Sequence, residues 1–307
     1  NIPRALYPPS TGATLNVAAI GAQCARIWRK IDAGFAERCE TAMRNAFNAS
    51  LSHKDVFAYN NFDGSGPYGD KSFDDEQSWS GMQMTQLHIP SRIVATPADK
   101  FTEFASPFPA SFNRTDMLAS LSAMNYPPAE FEPSLIDAWE TDFMLKAERI
   151  LADIPDEPLY IPYASDRYTW GSNSGLANRA IILGTAYDLT GERKSRDGVV
   201  HIVDYFLGRN PLGQSYISGY GDQQFYNPHH RHWAPSIRDG APTVPPGVLS
   251  GGPNNTNMTD PVAKNQLGTC AAQTCWTDDY YAWTQNEITI NWNAPLVWMA
   301  TFLADTD

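Results

Sequence analysis

The chain has 307 residues, with 22 Lys and Arg against 34 Asp and Glu, giving a formal net charge of −12 at pH 7. That length can bury a sizeable core as one domain or two, while the acidic balance and the lack of any basic run argue against nucleic acid or an anionic membrane surface as partner. A neutral polymer fits better, and no apolar run approaches the ~18 residues needed to cross a membrane. The chain opens at Asn1 with neither an initiator methionine nor a signal peptide, so Asn1 is expected to be a processed or artificial end.

In chain order, residues 12–30 place Leu15, Ala18, Ala19, Ala22, Ile27 and Trp28 near helical spacing, and residues 33–48 repeat the pattern after a short break. This predicts a helical hairpin. Helices are also predicted over 74–98 and 135–153, and a second hairpin over 173–190 and 193–209 turns at Thr190 and Gly191, where glycine is a stop signal. The stretch from about Glu287 to Leu303 is mostly apolar and predicts a helix packed on both sides. Strand-like alternation is scarce, confined to short stretches near Tyr216 to Ser218. Long Pro/Gly/Asn-rich segments lie between the helices, at 59–72, 99–134, 154–172 and 210–275. Structureless loops beyond ~15 residues are uncommon unless they are functional. Helix pairs joined by such elaborate connections suggest an all-α toroid.

Four cysteines sit as two close pairs, Cys24 with Cys39 and Cys270 with Cys275. An oxidising compartment would allow both to be disulfides. The CxxxxC spacing offers too few ligands for a metal, and free buried thiols are the remaining alternative. Sequons begin at Asn48, Asn113, Asn254 and Asn257, and are compatible with a eukaryotic secretory route.

The chemistry concentrates near the end of the chain. In CWTDDYYAWTQNEITINWNAPLVW, Asp278 precedes Glu287 by nine positions within an aromatic-rich stretch that includes Trp276, Trp283 and Trp292. Sugar rings stack on aromatic faces, and a glycosidic oxygen needs a proton donor. This stretch resembles the C-terminal active-site signature of the family 9 glycoside hydrolases, a cellulase family, with every specified position filled through Thr289, Asn293 and Ala294. A second block, SYISGYGDQQFYNPHHR, resembles the family's other signature, with His229 and Arg231 at its Pro-His-x-Arg end. It departs at Gln223, where the family usually has Asn, Lys or Arg.

The resemblance implies an (α/α)6 barrel with an open substrate cleft, and secreted, inverting hydrolysis of a β-1,4-glucan polysaccharide or oligosaccharide. Inversion needs one carboxylic acid at the leaving oxygen and a second carboxylate that activates water on the opposite face. Glu287 matches the family's general acid, and Trp283, Ile288 and Trp292 offer the apolar surroundings that raise a carboxyl pKa. The alternative is a glutamate at a helix N-terminus, favoured by the macrodipole. Asp278 matches a supporting carboxylate that acts through hydrogen bonds, against a solvated turn aspartate.

His229 and Arg231 match residues that bind sugar hydroxyls. Trp170, in YTWGSNSG, resembles a family aromatic segment, and Trp292 is the second candidate cleft aromatic. The three histidines His229, His230 and His232 lack the further ligands zinc requires. Ser72, Asp75, Glu76 and Asp116 match a structural calcium site, whose hard oxygen ligands suit Ca²⁺. The alternative is acidic residues in a first helical turn. No cofactor is expected for the chemistry itself.

The family's general base is an Asp in a segment close to Tyr-Asp-Ala-Gly-Asp, and these residues contain no such segment. The nearest likeness, Asn60 to Asp70, matches a different loop leading into the calcium region. Residues 1–307 are therefore expected to be the C-terminal two-thirds of a catalytic domain, with the first hairpins and the base on a piece absent from these residues through cleavage, truncation or a separate chain, and to be poorly stable alone unless that piece stays associated. A barrel without those hairpins would expose apolar helix faces. The competing expectation is a glucan-binding or vestigial protein that lacks the base.

Overall fold

The structure is a computed structural model that describes residues 7–59, 69–89, 110–111, 113–129, 131–164 and 166–306. Its α-helices are α1 (Thr11–Trp28), α2 (Ala33–Ser52), α3 (Asp74–Thr85), α4 (Asp116–Asn125), α5 (Pro133–Asp153), α6 (Ser172–Thr190), α7 (Arg193–Phe206), α8 (Trp283–Asn286) and α9 (Ile290–Asp305). No strand forms among the described residues, where extended segments meet only at isolated bridges such as Ile217 with Leu249. None of the described helices is long and apolar enough to cross a membrane. The chain divides into two compact units, Asn1–Phe143 and Met144–Asp307.

In the first unit, α1 and α2 form the expected hairpin. Ser10 caps α1 by accepting from the Ala13 amide, and Asp32 caps α2 by accepting from the Phe35 amide. Small residues let the helices approach closely: Ala18, Ala22 and Ala25 bury against Met43, Phe47 and Met84, and a Cβ at Gly21 would stand 2.9 Å from the Met43 Cβ. The Cys24–Cys39 disulfide ties the pair, as expected. The opposite side of α1 exposes Val17, Ile20 and Ile27.

Two expectations for this unit are corrected. The helix predicted over 74–98 ends at Thr85, and residues 90–98 lie outside the described residues. His88 takes a left-handed conformation (φ 56°) and Ile89 precedes Pro90, a position disfavoured in a helix. The loop predicted over 99–134 contains α4, a short helix that buries Met117, Leu121 and Met124. Gln83 of α3 donates to the Ser122 hydroxyl at 2.6 Å and Gln86 to the Ser122 carbonyl at 2.7 Å, which fixes α4 beside α3. Most of the Asn60 to Asp70 segment also lies outside the described residues.

In the second unit, α6 and α7 form the predicted hairpin. It turns at Gly191, which adopts φ 69° and donates to the Tyr187 carbonyl at 2.7 Å. Helix α7 ends at Phe206, three residues earlier than the spacing predicts. Helix α9 packs on α6 where Gly184 leaves room for the Trp298 ring. The helix expected to start at Glu287 begins instead at Ile290, behind the separate turn α8. Its burial is one-sided: Trp292, Leu296, Met299 and Phe302 are buried, while Ile290 is 90% exposed. The Cys270–Cys275 disulfide closes the end of the long loop, and no free cysteine remains.

Within that loop, residues 250–257 determine where the candidate site sits. The Asn173 amide, in the first turn of α6, donates to the Gly251 carbonyl at 3.1 Å, and the Gly251 amide donates to the Glu287 carbonyl at 3.1 Å. Ser172 donates to the Pro253 carbonyl, the Asn255 amide donates to the Tyr168 carbonyl, and Asn254 donates from its side chain to the Thr284 carbonyl. Side chains at 251 and 252 would obstruct this close approach. A Cβ at Gly251 would meet the Trp292 ring at 2.8 Å, and at Gly252, where φ is 92°, it would meet the Asn173 side chain at 2.4 Å.

Gly252→Ala is therefore expected to destabilise the protein by about 2 kcal/mol or more, through both strain and overpacking. Gly240→Ala, with φ 74° but nothing within 4 Å, should lose only about 1 kcal/mol. Urea unfolding followed by tryptophan fluorescence measures both, and equal losses would contradict this packing.

Candidate active site

Glu287 sits in the short extended link between α8 and α9, with φ −68° and ψ 151°. It is therefore not a helix N-terminal glutamate. Backbone bonds hold the link in place: the His229 amide donates to the Asn286 carbonyl at 2.9 Å, and His229 and Glu287 form a bridge. Beneath it, buried Asp260 accepts from the Thr284 amide at 3.0 Å and hydroxyl at 2.5 Å with one oxygen. Its other oxygen takes the Val262 and Ala263 amides. The turn α8 is thus clamped to a fully satisfied carboxylate.

The Glu287 carboxyl is partly buried. Its Oε2 accepts from the Trp170 indole Nε1 at 3.1 Å, across 117 positions of sequence. Burial raises its pKa above the ordinary glutamate value, and the Trp170 hydrogen bond opposes part of that rise. Trp170 is 37% exposed. Its backbone amide donates to the Asn257 side chain at 3.1 Å. The next residue, Gly171, is left-handed at φ 78° and abuts the Trp292 ring. Trp292, expected in the cleft, is only 9% exposed and packs under Gly171 and Gly251, so it supports the loop instead of offering a face.

Asp278 is not a solvated turn residue. One oxygen accepts from the Tyr226 amide at 2.7 Å and the other from the Asn227 amide at 2.7 Å, with Asn286 Nδ2 at 3.3 Å. It therefore anchors the segment that leads into His229. The His229 Nδ1 donates to the Tyr280 carbonyl at 2.7 Å, which leaves Nε2 for a ligand. Burial lowers the His229 pKa, and the nearby Arg231 charge lowers it further, so the neutral ring presents an acceptor there. The ring packs between Tyr280 and Trp283, with centroids at 4.8 and 5.6 Å. Arg231 is exposed and makes no hydrogen bond or ion pair among the described residues. Gln223 is also exposed, and its carbonyl accepts from the Ser215 amide.

The metal expectations fare differently. His230 Nδ1 accepts from the His232 and Trp233 amides while its ring stacks on Trp233, so it is engaged locally. The side chains of the calcium set have partners within the protein. Ser72 donates to Asp74, Asp75 accepts from the Thr115 amide and hydroxyl, and Arg114 takes both oxygens of Asp116. Only Glu76 keeps a buried oxygen without a partner, and burial and then Asp75 push its pKa up to about 8. No group of three or more acidic, histidine or cysteine side chains suited to a metal occurs among the described residues.

Sequence reasoning missed Asp260, Asn254, Asn173 and the Gly251–Gly252 pair. Their role is to position backbone, and the adjacent glycines were the one visible signal.

Comparison with known proteins follows the same pattern. The model of Glycosyl hydrolase family 9 matches residues 1–300. A cellulose 1,4-beta-cellobiosidase of Acetivibrio thermocellus is 32% identical, over 99% of this chain and 37% of its own length. Endoglucanase C of Cellulomonas fimi is 33% identical, over 98% of this chain and 28% of its own. A thermostable endoglucanase from Alicyclobacillus acidocaldarius superposes with a TM-score of 0.85 at 26% identity, over 96% of this chain and 56% of that one. A solved structure of AaCel9A in complex with cellobiose-like isofagomine gives the same values. The chain thus spans about a third of these two relatives and just over half of these solved chains. The all-α fold class, expected as an (α/α)6 toroid, is the one shared with these structures. With its two signatures, its helical hairpins and a family match over nearly its whole length, the chain belongs to glycosyl hydrolase family 9.

Proposed function

We propose that the chain is part of the catalytic domain of a secreted enzyme that hydrolyses β-1,4-glucosidic bonds of cellulose or a related β-glucan, with inversion and with Glu287 as general acid. The observation that carries this reading is the state of Glu287: partly buried, raised in pKa, and hydrogen-bonded to an exposed tryptophan. A carboxyl whose pKa is raised by burial keeps its proton above the ordinary glutamate range and can donate it to the leaving glycosidic oxygen. The names of the relatives, an endoglucanase and a cellobiosidase, favour the same substrate class.

In this reading Trp170 faces a sugar ring. His229 Nε2 accepts from a sugar hydroxyl and Arg231 donates to one. Asp278 supports the site by fixing the segment from Tyr226 to His229. The carboxylate that activates water stands roughly 6.5–9.5 Å from the acid, on the opposite face of the sugar. We assign it to the family's Tyr-Asp-Ala-Gly-Asp segment, which these residues do not contain. The two disulfides favour an oxidising, extracellular setting. The proposed acid and base chemistry calls for no cofactor.

A second reading is a glucan-binding protein without hydrolysis, in which Trp170, His229 and Arg231 still hold sugar. Assay of carboxymethylcellulose and cello-oligosaccharide hydrolysis, with intact-mass analysis of the same sample, separates the two. Cellulose binding without any product supports the second.

Glu287→Gln should keep oligosaccharide affinity within about threefold and lose about 10³-fold in turnover. Wild-type turnover would refute the assignment. Because the acid must be protonated and its pKa is raised, hydrolysis should persist above the ordinary glutamate range and fall as pH climbs through the Glu287 pKa. A rate limb at or below pH ~4.3, an ordinary glutamate value, would contradict this. Asp278→Asn cannot accept both amides equally and should lose about 10²-fold in kcat/KM by misplacing the site, while leaving that limb in place.

A further inference from the structure

Glu287 has two carboxyl oxygens, and the structure treats them differently. Oε2 accepts the Trp170 indole N–H at 3.1 Å, whereas no protein donor is bonded to Oε1 among the described residues. We propose that Trp170 is a positioning residue for the acid: its indole N–H fixes Oε2 and leaves Oε1 as the oxygen that carries the proton and delivers it. This rests on the reading of Glu287 as the general acid.

The indole N–H can only donate, so it favours an oxygen lone pair and disfavours a proton at that oxygen. The donor is itself held firmly. Trp170 is pinned through its amide to Asn257, and the left-handed Gly171 behind it rests on the Trp292 ring. The acceptor is held from the other side through the Gly251 amide on the Glu287 carbonyl. Indole and carboxyl therefore meet without depending on a flexible side chain.

A hydrogen bond to a carboxylate is roughly twice as strong as one to the neutral acid. As Oε1 gives up its proton, charge grows on Glu287 and the indole bond strengthens, so the bond stabilises the transition state more than the ground state. Burial holds the proton on, and the indole eases its departure. Charged or titratable side chains on the neighbouring segments include Asp166, Arg167, His229, Asp260, Asp278 and Tyr280, while the Glu287 shift comes from burial, opposed by the Trp170 bond. Among the described residues, the indole is the hydrogen-bond donor set against burial.

The test uses the chain labelled with ¹³C at glutamate carboxyls and ¹⁵N at indoles. The Glu287 signal is assigned by its absence in Glu287→Gln, and the Trp170 indole signal by its absence in Trp170→His. In the wild type, the Trp170 indole signal should titrate with the same midpoint as the Glu287 carboxyl, and this response should vanish in Glu287→Gln. Trp170→Phe, which keeps an aromatic face without the donor, should raise the Glu287 midpoint by about half a pH unit or more. Trp170→His, whose Nε2 falls near the indole nitrogen, should bring it back down.

An indole signal blind to Glu287, or an unmoved midpoint in folded Trp170→Phe, overturns the proposal. If Trp170→Phe does not fold, the wild-type and Glu287→Gln spectra still decide it. Glucan hydrolysis by Glu287→Gln at the wild-type rate would sink the acid reading while leaving the indole coupling measurable. A flat Trp170→Phe titration beside an inactive Glu287→Gln would sink only the positioning role.

Discussion

One residue, Gly251 in the 250–257 loop, sets the geometry of the candidate site through its two backbone hydrogen bonds. Gly251 receives the Asn173 amide on its carbonyl and gives its own amide to the Glu287 carbonyl, so the start of α6 and the link before α9 are both measured from it. Backbone hydrogen bonds of about 3 Å tolerate little displacement. Two segments more than a hundred residues apart are thereby held in register, and their side chains, Trp170 and Glu287, meet as a result. Packing reinforces the register, because Trp292 fills the space where side chains at 171 and 251 would otherwise stand. The tryptophan in the signature stretch is a foundation for the site.

Three carboxylates in the last fifty residues show how environment assigns roles to like groups. Asp260 is buried and accepts four hydrogen bonds, two of them to one residue, Thr284. Asp278 accepts two backbone amides and two side-chain amides. Both are charge-stabilised anchors whose oxygens are occupied. Glu287 alone is desolvated with a single donor, and desolvation without compensation is what raises a carboxyl pKa. The division of labour follows from the number of N–H groups each one meets.

Much of the fold could be read from spacing. The alanine-rich face of α1, the turn at Gly191 and the paired cysteines all reflect local chemistry that leaves a pattern. What escaped notice was decided by tertiary contacts. Apolar residues run on past Glu287, which hides the break before α9. The break exists because the amides of His229 and Gly251 take the Asn286 and Glu287 carbonyls that a continuous helix would use. Helix α4 was obscured by its length and by the polar loop around it. At the site, the motif identified Glu287, Asp278 and His229 by residue type. It could not separate Trp170 from Trp292, since an aromatic residue suits a sugar platform and a core equally well. Asp260 and Asn254 were invisible for a related reason: a side chain that serves distant backbone has no characteristic spacing.

The burial of Asn254 also bears on how the protein is made. Asn254 begins a sequon, yet its side chain is fully enclosed: Nδ2 donates to the Thr284 carbonyl, and Oδ1 accepts the amides of Thr256 and Asn257. Oligosaccharyltransferase acts on chains still entering the secretory pathway, before such a side chain is hidden. A sugar tree attached there would keep the loop from closing and, with it, both halves of the site from meeting. In a glycosylating host, the yield of folded material would then depend on a race between the transferase and the collapse of a single loop. A bacterial host has no such race, and replacing Thr256 with a residue that erases the sequon would remove it elsewhere.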